Sequence, residues 1–170
     1  WAGSMLLLHP ERIVAVWLRS GAPGVVTSNA PGGPLGIPPA ALAVPVMANP
    51  GAKERTHERF QRAWQSGLSF YTELRARGGL AGFAPDPRTS HECGDSRYLA
   101  IPFFDACLAQ RLPDRAGSAQ LRSMYRAAVW LAPVHGEVAV ALENFTGRVE
   151  DAVWLPSADV ARAWGEYVRT

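Results

Sequence analysis

No apolar run in the 170 residues approaches the roughly 20 that cross a bilayer as a helix, so a membrane-spanning helix is excluded. Two cysteines are too few for a disulfide scaffold. Cys93 and Cys107 share one segment and are expected as free, largely buried thiols. Lysine is nearly absent: Lys53 stands alone, and the net charge of +2 comes from scattered arginines. No basic cluster carries interleaved aromatics, so a nucleic-acid partner is not expected. His91-x-Cys93 has no second ligand pair at metal spacing, and neither a metal nor any other cofactor is expected. Residues 1–8 lack an initiator methionine and the basic start and cleavage site of a signal peptide, so the chain reads as a fragment.

What is present is an ordinary apolar fraction of 48% with 19% charged residues, enough to bury a core. The apolar pattern alternates between strand and helix. Residues 2–8 read as the end of a helix stopped at Pro10. Residues 12–18 (RIVAVWL) are a short β-branched run, apolar almost throughout, as in a strand covered on both faces. Residues 20–41 hold five glycines and five prolines and read as a long loop, either a functional lid or a linker.

A second strand is expected over residues 42–47, where Pro45 suits an edge or a strand start. Thr56 is a possible cap for a helix over residues 58–77. There Phe60, Trp64, Gly67, Leu68, Tyr71 and Leu74 form one stripe, Glu73 and Arg77 form an i,i+4 pair, and Gly78-Gly79 supply the stop. A third strand over residues 80–84 and a helix from Pro102 to about Arg111 follow. Strand and helix in alternation mean parallel strands joined by crossover helices, an α/β class. Residues 112–170 form a small appended α+β, β-rich tail. Its expected elements are a helix over residues 121–128 and strands over 129–131, 137–142 and 152–155. A last helix over residues 158–168 is capped by Ser157 and buries Val160, Trp164 and Val168. The tetrapeptide AVWL recurs at Ala15, Ala128 and Ala152 without repeating flanks, so it is shared strand composition and not an internal repeat.

The chemistry concentrates in the loop after the third strand. His91 follows a proline-broken turn, at the sheet end where parallel α/β proteins place their sites. A histidine base needs a carboxylate to fix its tautomer. Glu54 lies just past the second strand, and neighbouring parallel strands bring their C-terminal loops together. Glu54 is therefore the candidate acid, or else a charge that favours the following helix N-terminus. Asp86 reads as a turn residue between two prolines. His9, His57 and His135 read as surface or turn histidines, and Asp95 and Arg97 as a pair or cap near the next helix start.

The succession of helix, HPERIVAVWL, proline-rich loop, VPVMANPGAKE, helix, LAGFAPDP, SHECG and helix resembles the C-terminal half of the α/β-hydrolase superfamily. Within that superfamily it resembles the esterase group that includes polyhydroxyalkanoate-depolymerase-like proteins. The resemblance covers residues 1–111. It implies a mainly parallel hydrolase sheet, with Glu54 of GAKE as the acid, His91 of SHECG as the base, and the chain order serine, acid, histidine. It also puts residues 20–41 where the family inserts a lid.

One departure is large: the family's G-x-S-x-G nucleophile elbow does not occur in the chain. Gly3-Ser4 lacks the second glycine, and the residues around Ser96 do not match. By resemblance, residues 1–8 are the helix after the elbow, and the serine lies shortly before Trp1 together with its oxyanion donors. The expectation is a serine-type hydrolase of small-molecule or polymeric carboxylic esters, present as a fragment that is inactive alone. Amidase or peptidase action on the same triad differs only in the leaving group. The alternative is a hydrolase-like binding or structural module without catalysis.

Overall fold

The computed structural model describes residues 1–23, 36–115, 117–118 and 120–169. Helix α1 spans Ala2–Leu8 and buries Leu6 and Leu7. Pro10 opens a 3-10 turn over Pro10–Arg12. Strand β1 is consequently shorter and later than the sequence suggests, Val16–Arg19. Val16 and Leu18 are buried, but Trp17 and Arg19 are only half-buried, which corrects the expectation of a strand covered on both faces.

Strand β2, Val46–Asn49, is buried at every position. It too starts late, because Pro39–Ala43 form a 3-10 turn. Pro45 sits just ahead of the strand, where its carbonyl accepts the Val16 N–H at 2.8 Å and no donor is needed from it. Strand β3 is Ala81–Phe83. The order is β1-β2-β3 with both pairings parallel.

Helix α2, Gln61–Ala76, makes the crossover from β2 to β3. Gly67, Tyr71 and Leu74 of the expected stripe are buried, joined by Phe70 and Arg75. Arg77 donates to Glu73 at 2.7 Å, and Gly78 ends the helix with φ +77°. Thr56 does not cap it. The helix begins three residues past the expected start, and Thr56 belongs to a 3-10 turn, Ala52–Thr56. Helix α3 starts well before Pro102, spanning Arg97–Arg111 with Pro102 inside it. Cys107 is buried on α3, whereas Cys93 is exposed, so only one thiol is a core residue.

The remaining strands are β4 (Trp130–Ala132), β5 (Val140–Ala141) and β6 (Val153–Leu155), antiparallel in the order β5-β4-β6. The expected helix over residues 121–128 is reduced to a 3-10 turn, Arg126–Ala128. Helix α4, Ala158–Arg169, is capped by Ser157, whose Oγ accepts the Val160 N–H at 3.3 Å. Val160, Trp164 and Tyr167 are buried at helical spacing, and Tyr167 takes the inner position expected of Val168.

The two sheets meet in one hydrophobic core. Trp164 Nε1 donates to the Phe83 carbonyl at 2.8 Å, and β6 packs against β3 where Gly82 leaves room for the Trp154 backbone. Buried Arg75 ties α2 to the turn before β6, donating to the carbonyls of Ala152 (2.7 Å), Gly79 (2.5 Å) and Val149. The fold is thus mixed α/β, a parallel sheet with a small antiparallel one. No helix among the described residues is long and apolar enough to cross a membrane.

Candidate functional site

The site lies at the C-terminal end of the parallel sheet, where β2 and β3 run on into loops that remain paired. Gly51 and Asp86 form a parallel bridge, with Ala52 N–H on the Asp86 carbonyl and Asp86 N–H on the Pro50 carbonyl, each at 2.8 Å. One residue further, Lys53 N–H reaches the Thr89 carbonyl at 3.1 Å. This extension brings the 3-10 turn carrying Glu54 beside the loop carrying His91. A Cβ on Gly51 would fall on the Ser90 carbonyl oxygen, so the two loops can approach this closely only across a glycine.

Glu54 and His91 meet as the sequence suggests. His91 Nδ1 is 2.8 Å from Glu54 Oε1. Against an ionised carboxylate, which only accepts hydrogen bonds, Nδ1 is the donor, and in a neutral ring that arrangement leaves Nε2 with its lone pair. Glu54 is completely buried, while the His91 side chain is 43% exposed. Among the described residues Glu54 Oε2 has no hydrogen-bond partner. The His91 bond is therefore the contact offsetting the cost of burying that carboxylate.

The plane of the imidazole is fixed as well. Phe60 stacks on His91 with ring centroids 4.2 Å apart and planes 4° apart. His57 lies 4.6 Å from the Phe60 ring, and the Arg59 guanidinium carbon lies 5.3 Å from its centroid. The apolar periodicity places Phe60 on the core stripe of α2. It precedes the helix instead, and its ring serves the histidine. The 3.6-residue period signals an apolar face but not what that face touches.

Asp86 is not the solvated turn residue expected between two prolines: it is fully buried. Its Oδ1 accepts the Arg88 amide and guanidinium, each at 3.1 Å, and its Oδ2 accepts the Tyr167 hydroxyl at 3.1 Å. Burial raises its pKa, but the Arg88 and Tyr167 bonds outweigh that and hold it below the ordinary carboxylate value. Its oxygens are thus engaged away from the imidazole. Beside it, Asn49 at the end of β2 donates to the Ala84 carbonyl (2.6 Å) and Tyr167 Oη (3.1 Å) and accepts from Ser96 Oγ at 3.0 Å. Tyr167 joins this network over more than 80 residues, a link that no local pattern announces.

His9 and His135 stay apart from the pair, whereas His57 packs on Phe60 and its backbone N–H donates to the Glu54 carbonyl at 3.2 Å. His9 is exposed and faces Glu11 at 3.7 Å, and His135 occupies an exposed turn. Asp95 and Arg97 pair at 3.3 Å, as expected. No group of three or more metal-ligating side chains occurs among the described residues. Most of the candidate lid, residues 24–35, lies outside the described residues.

The N-terminus of α1 opens on the same end of the sheet. A cavity of about 420 Å³ is bounded by Trp1, Gly3, Trp17, Arg19 and Gly21. Arg19, which lines it, also bonds the His91 loop. Comparison with known proteins finds no matching family model, no matching curated protein and no matching solved structure.

Proposed function

We propose that His91 and Glu54 are the general base and the orienting acid of a hydrolase acting on carboxylic esters. One observation carries the reading: a solvent-open imidazole bonded through Nδ1, at 2.8 Å, to a fully buried carboxylate. In that arrangement Nε2 takes the proton of an attacking hydroxyl and returns it to the leaving alkoxide, while Glu54 holds the tautomer and stabilises the imidazolium. The resemblance of residues 1–111 to α/β-hydrolases supplies the reaction class, with an ester as substrate and no cofactor. The attacking serine is assigned to a position ahead of Trp1, because the chain contains no G-x-S-x-G. The cavity shared by the α1 N-terminus and Arg19 favours this, since a residue preceding α1 enters at the end of the sheet where His91 stands.

The missing elbow favours a second reading, a hydrolase-like binding or structural module with no turnover. The sequence encoded ahead of Trp1 separates the two. A serine within G-x-S-x-G, labelled by a fluorophosphonate probe, supports the enzyme, and another residue at that position supports the module. In the protein carrying that segment, His91→Ala should lower kcat on nitrophenyl esters by several orders of magnitude, and Glu54→Gln by less. Unchanged turnover in His91→Ala would remove the triad.

A further inference from the structure

We propose that Arg19 is the positioning residue for His91: from the end of β1 it reaches across β2 and fixes the loop on both sides of the histidine. Its Nη1 donates to the Asn49 carbonyl at 2.8 Å, which anchors the guanidinium to the end of β2. Its Nη2 donates to Thr89 Oγ1 at 2.7 Å and to the Ser90 carbonyl at 3.3 Å. Its Nε donates to the Glu92 carbonyl at 3.1 Å, and Nη2 shares that acceptor. The bonded residues 89, 90 and 92 bracket position 91. The loop is braced internally as well, with Ser90 N–H on Glu92 Oε1 at 3.0 Å.

The residue type follows from this geometry. Four acceptors on two separate segments match the rigid donor fork of a guanidinium, whereas a lysine presents a single point charge. The hydrogen-bond partners are carbonyl oxygens and a hydroxyl, which are suited to fixing backbone and not to balancing charge. The site's geometry depends on that fixing. His91 is held to Glu54 and Phe60 by its ring alone, so a loop free to drift carries the ring out of line with both. Arg19 is half-buried on an end strand of the parallel sheet, so its loss leaves most of the core untouched. The tie spans 70 to 73 residues and leaves no mark in the sequence beyond an arginine ending a strand.

The role of Arg19 rests on the proposed base and acid, but it can be tested apart from turnover. In the protein carrying the segment ahead of Trp1, the low-field proton resonance of His91 Nδ1–H is assigned by its disappearance in His91→Ala. Arg19→Ala should broaden or abolish that resonance. It should also lower kcat on a nitrophenyl ester by about 10- to 100-fold, with KM changed less than about threefold, the pattern of a misaligned group. Arg19→Lys, which keeps the charge and loses the fork, should restore neither. A sharp wild-type resonance with wild-type kcat in Arg19→Ala would overturn the proposal. If Arg19→Ala does not fold, the same outcomes in Arg19→Lys decide. A His91 resonance that depends on Arg19 in a protein without ester turnover would keep the positioning role and remove the hydrolase. Turnover that needs His91 but not Arg19 would do the reverse.

Discussion

Gly51→Ala tests the geometry of the site through a single methyl group. Gly51 has φ −75° and ψ 131°, a conformation any residue adopts, so backbone strain gives no reason for a glycine there. The reason is space. An added Cβ would lie on the Ser90 carbonyl oxygen, 2.7 Å from the Ser90 carbonyl carbon and 2.7 Å from the Thr89 oxygen. Non-bonded carbons settle at about 3.5–4.0 Å, and the new Cβ would be only 1.8 Å from the Ser90 oxygen, so the loop must retreat by more than about 1 Å. The obstructing atoms are backbone and cannot rotate away. Overpacking of this kind costs about 1–3 kcal/mol, or a drop of roughly 2–12 °C in Tm for a chain of this size. The retreat carries His91 away from Glu54, and a misplacement of about 1 Å costs on the order of 100-fold in rate. Differential scanning fluorimetry and the His91 Nδ1–H resonance would follow the two effects in parallel. A Gly51→Ala protein with wild-type Tm and an unaltered His91 signal would refute the claim that contact across Gly51 sets the His91–Glu54 distance.

Three further outcomes are expected. Asp86→Asn should leave kcat near wild type but cost about 1–3 kcal/mol at neutral pH, through loss of charge-assisted bonds to Arg88 and Tyr167. Because the folded-state pKa of Asp86 is depressed, its contribution is complete above the ordinary value of 3.8 and lost as pH falls through the folded value. Melting curves of the two proteins should therefore converge in acid, and a gap that persists there would contradict the assignment. Arg75→Met strips donors from the carbonyls of Gly79, Val149 and Ala152 and should destabilise by about 3 kcal/mol or more, read by urea denaturation. A loss below about 0.5 kcal/mol would show that Arg75 does not anchor the turn before β6. Burial pushes the Cys107 thiol up to about 12 while Cys93 is exposed, so brief alkylation of the native protein should label Cys93 alone by mass spectrometry.

The local sequence determined the helices most fully. α1 stops before Pro10, α2 ends at Gly78, and α4 starts after the Ser157 cap, because helical bonds join residues four apart and caps act within one turn. It also determined that β1, β2 and β3 are parallel. From that followed the meeting of Glu54 and His91, since successive parallel strands must present their C-terminal loops together. Strand limits were less legible. Residues 12–15 and 42–45 are apolar enough to be strand, but they turn at prolines and find no partner in register. Helix α3 is longer than the sequence suggests, because Pro102 marks a preferred start whereas packing of Leu99 and Phe103 carries the helix back to Arg97. Tertiary structure alone decided the surroundings of the pair: Phe60 against the imidazole, Gly51 under the Ser90 carbonyl, Arg19 on the loop, and Asp86 taken by Arg88 and Tyr167. Most of these contacts join residues roughly 30 to 80 positions apart. Their strength depends on distances of a few ångströms that exist only once the sheets, α2 and α4 have packed on one core, so composition and period carry no trace of them.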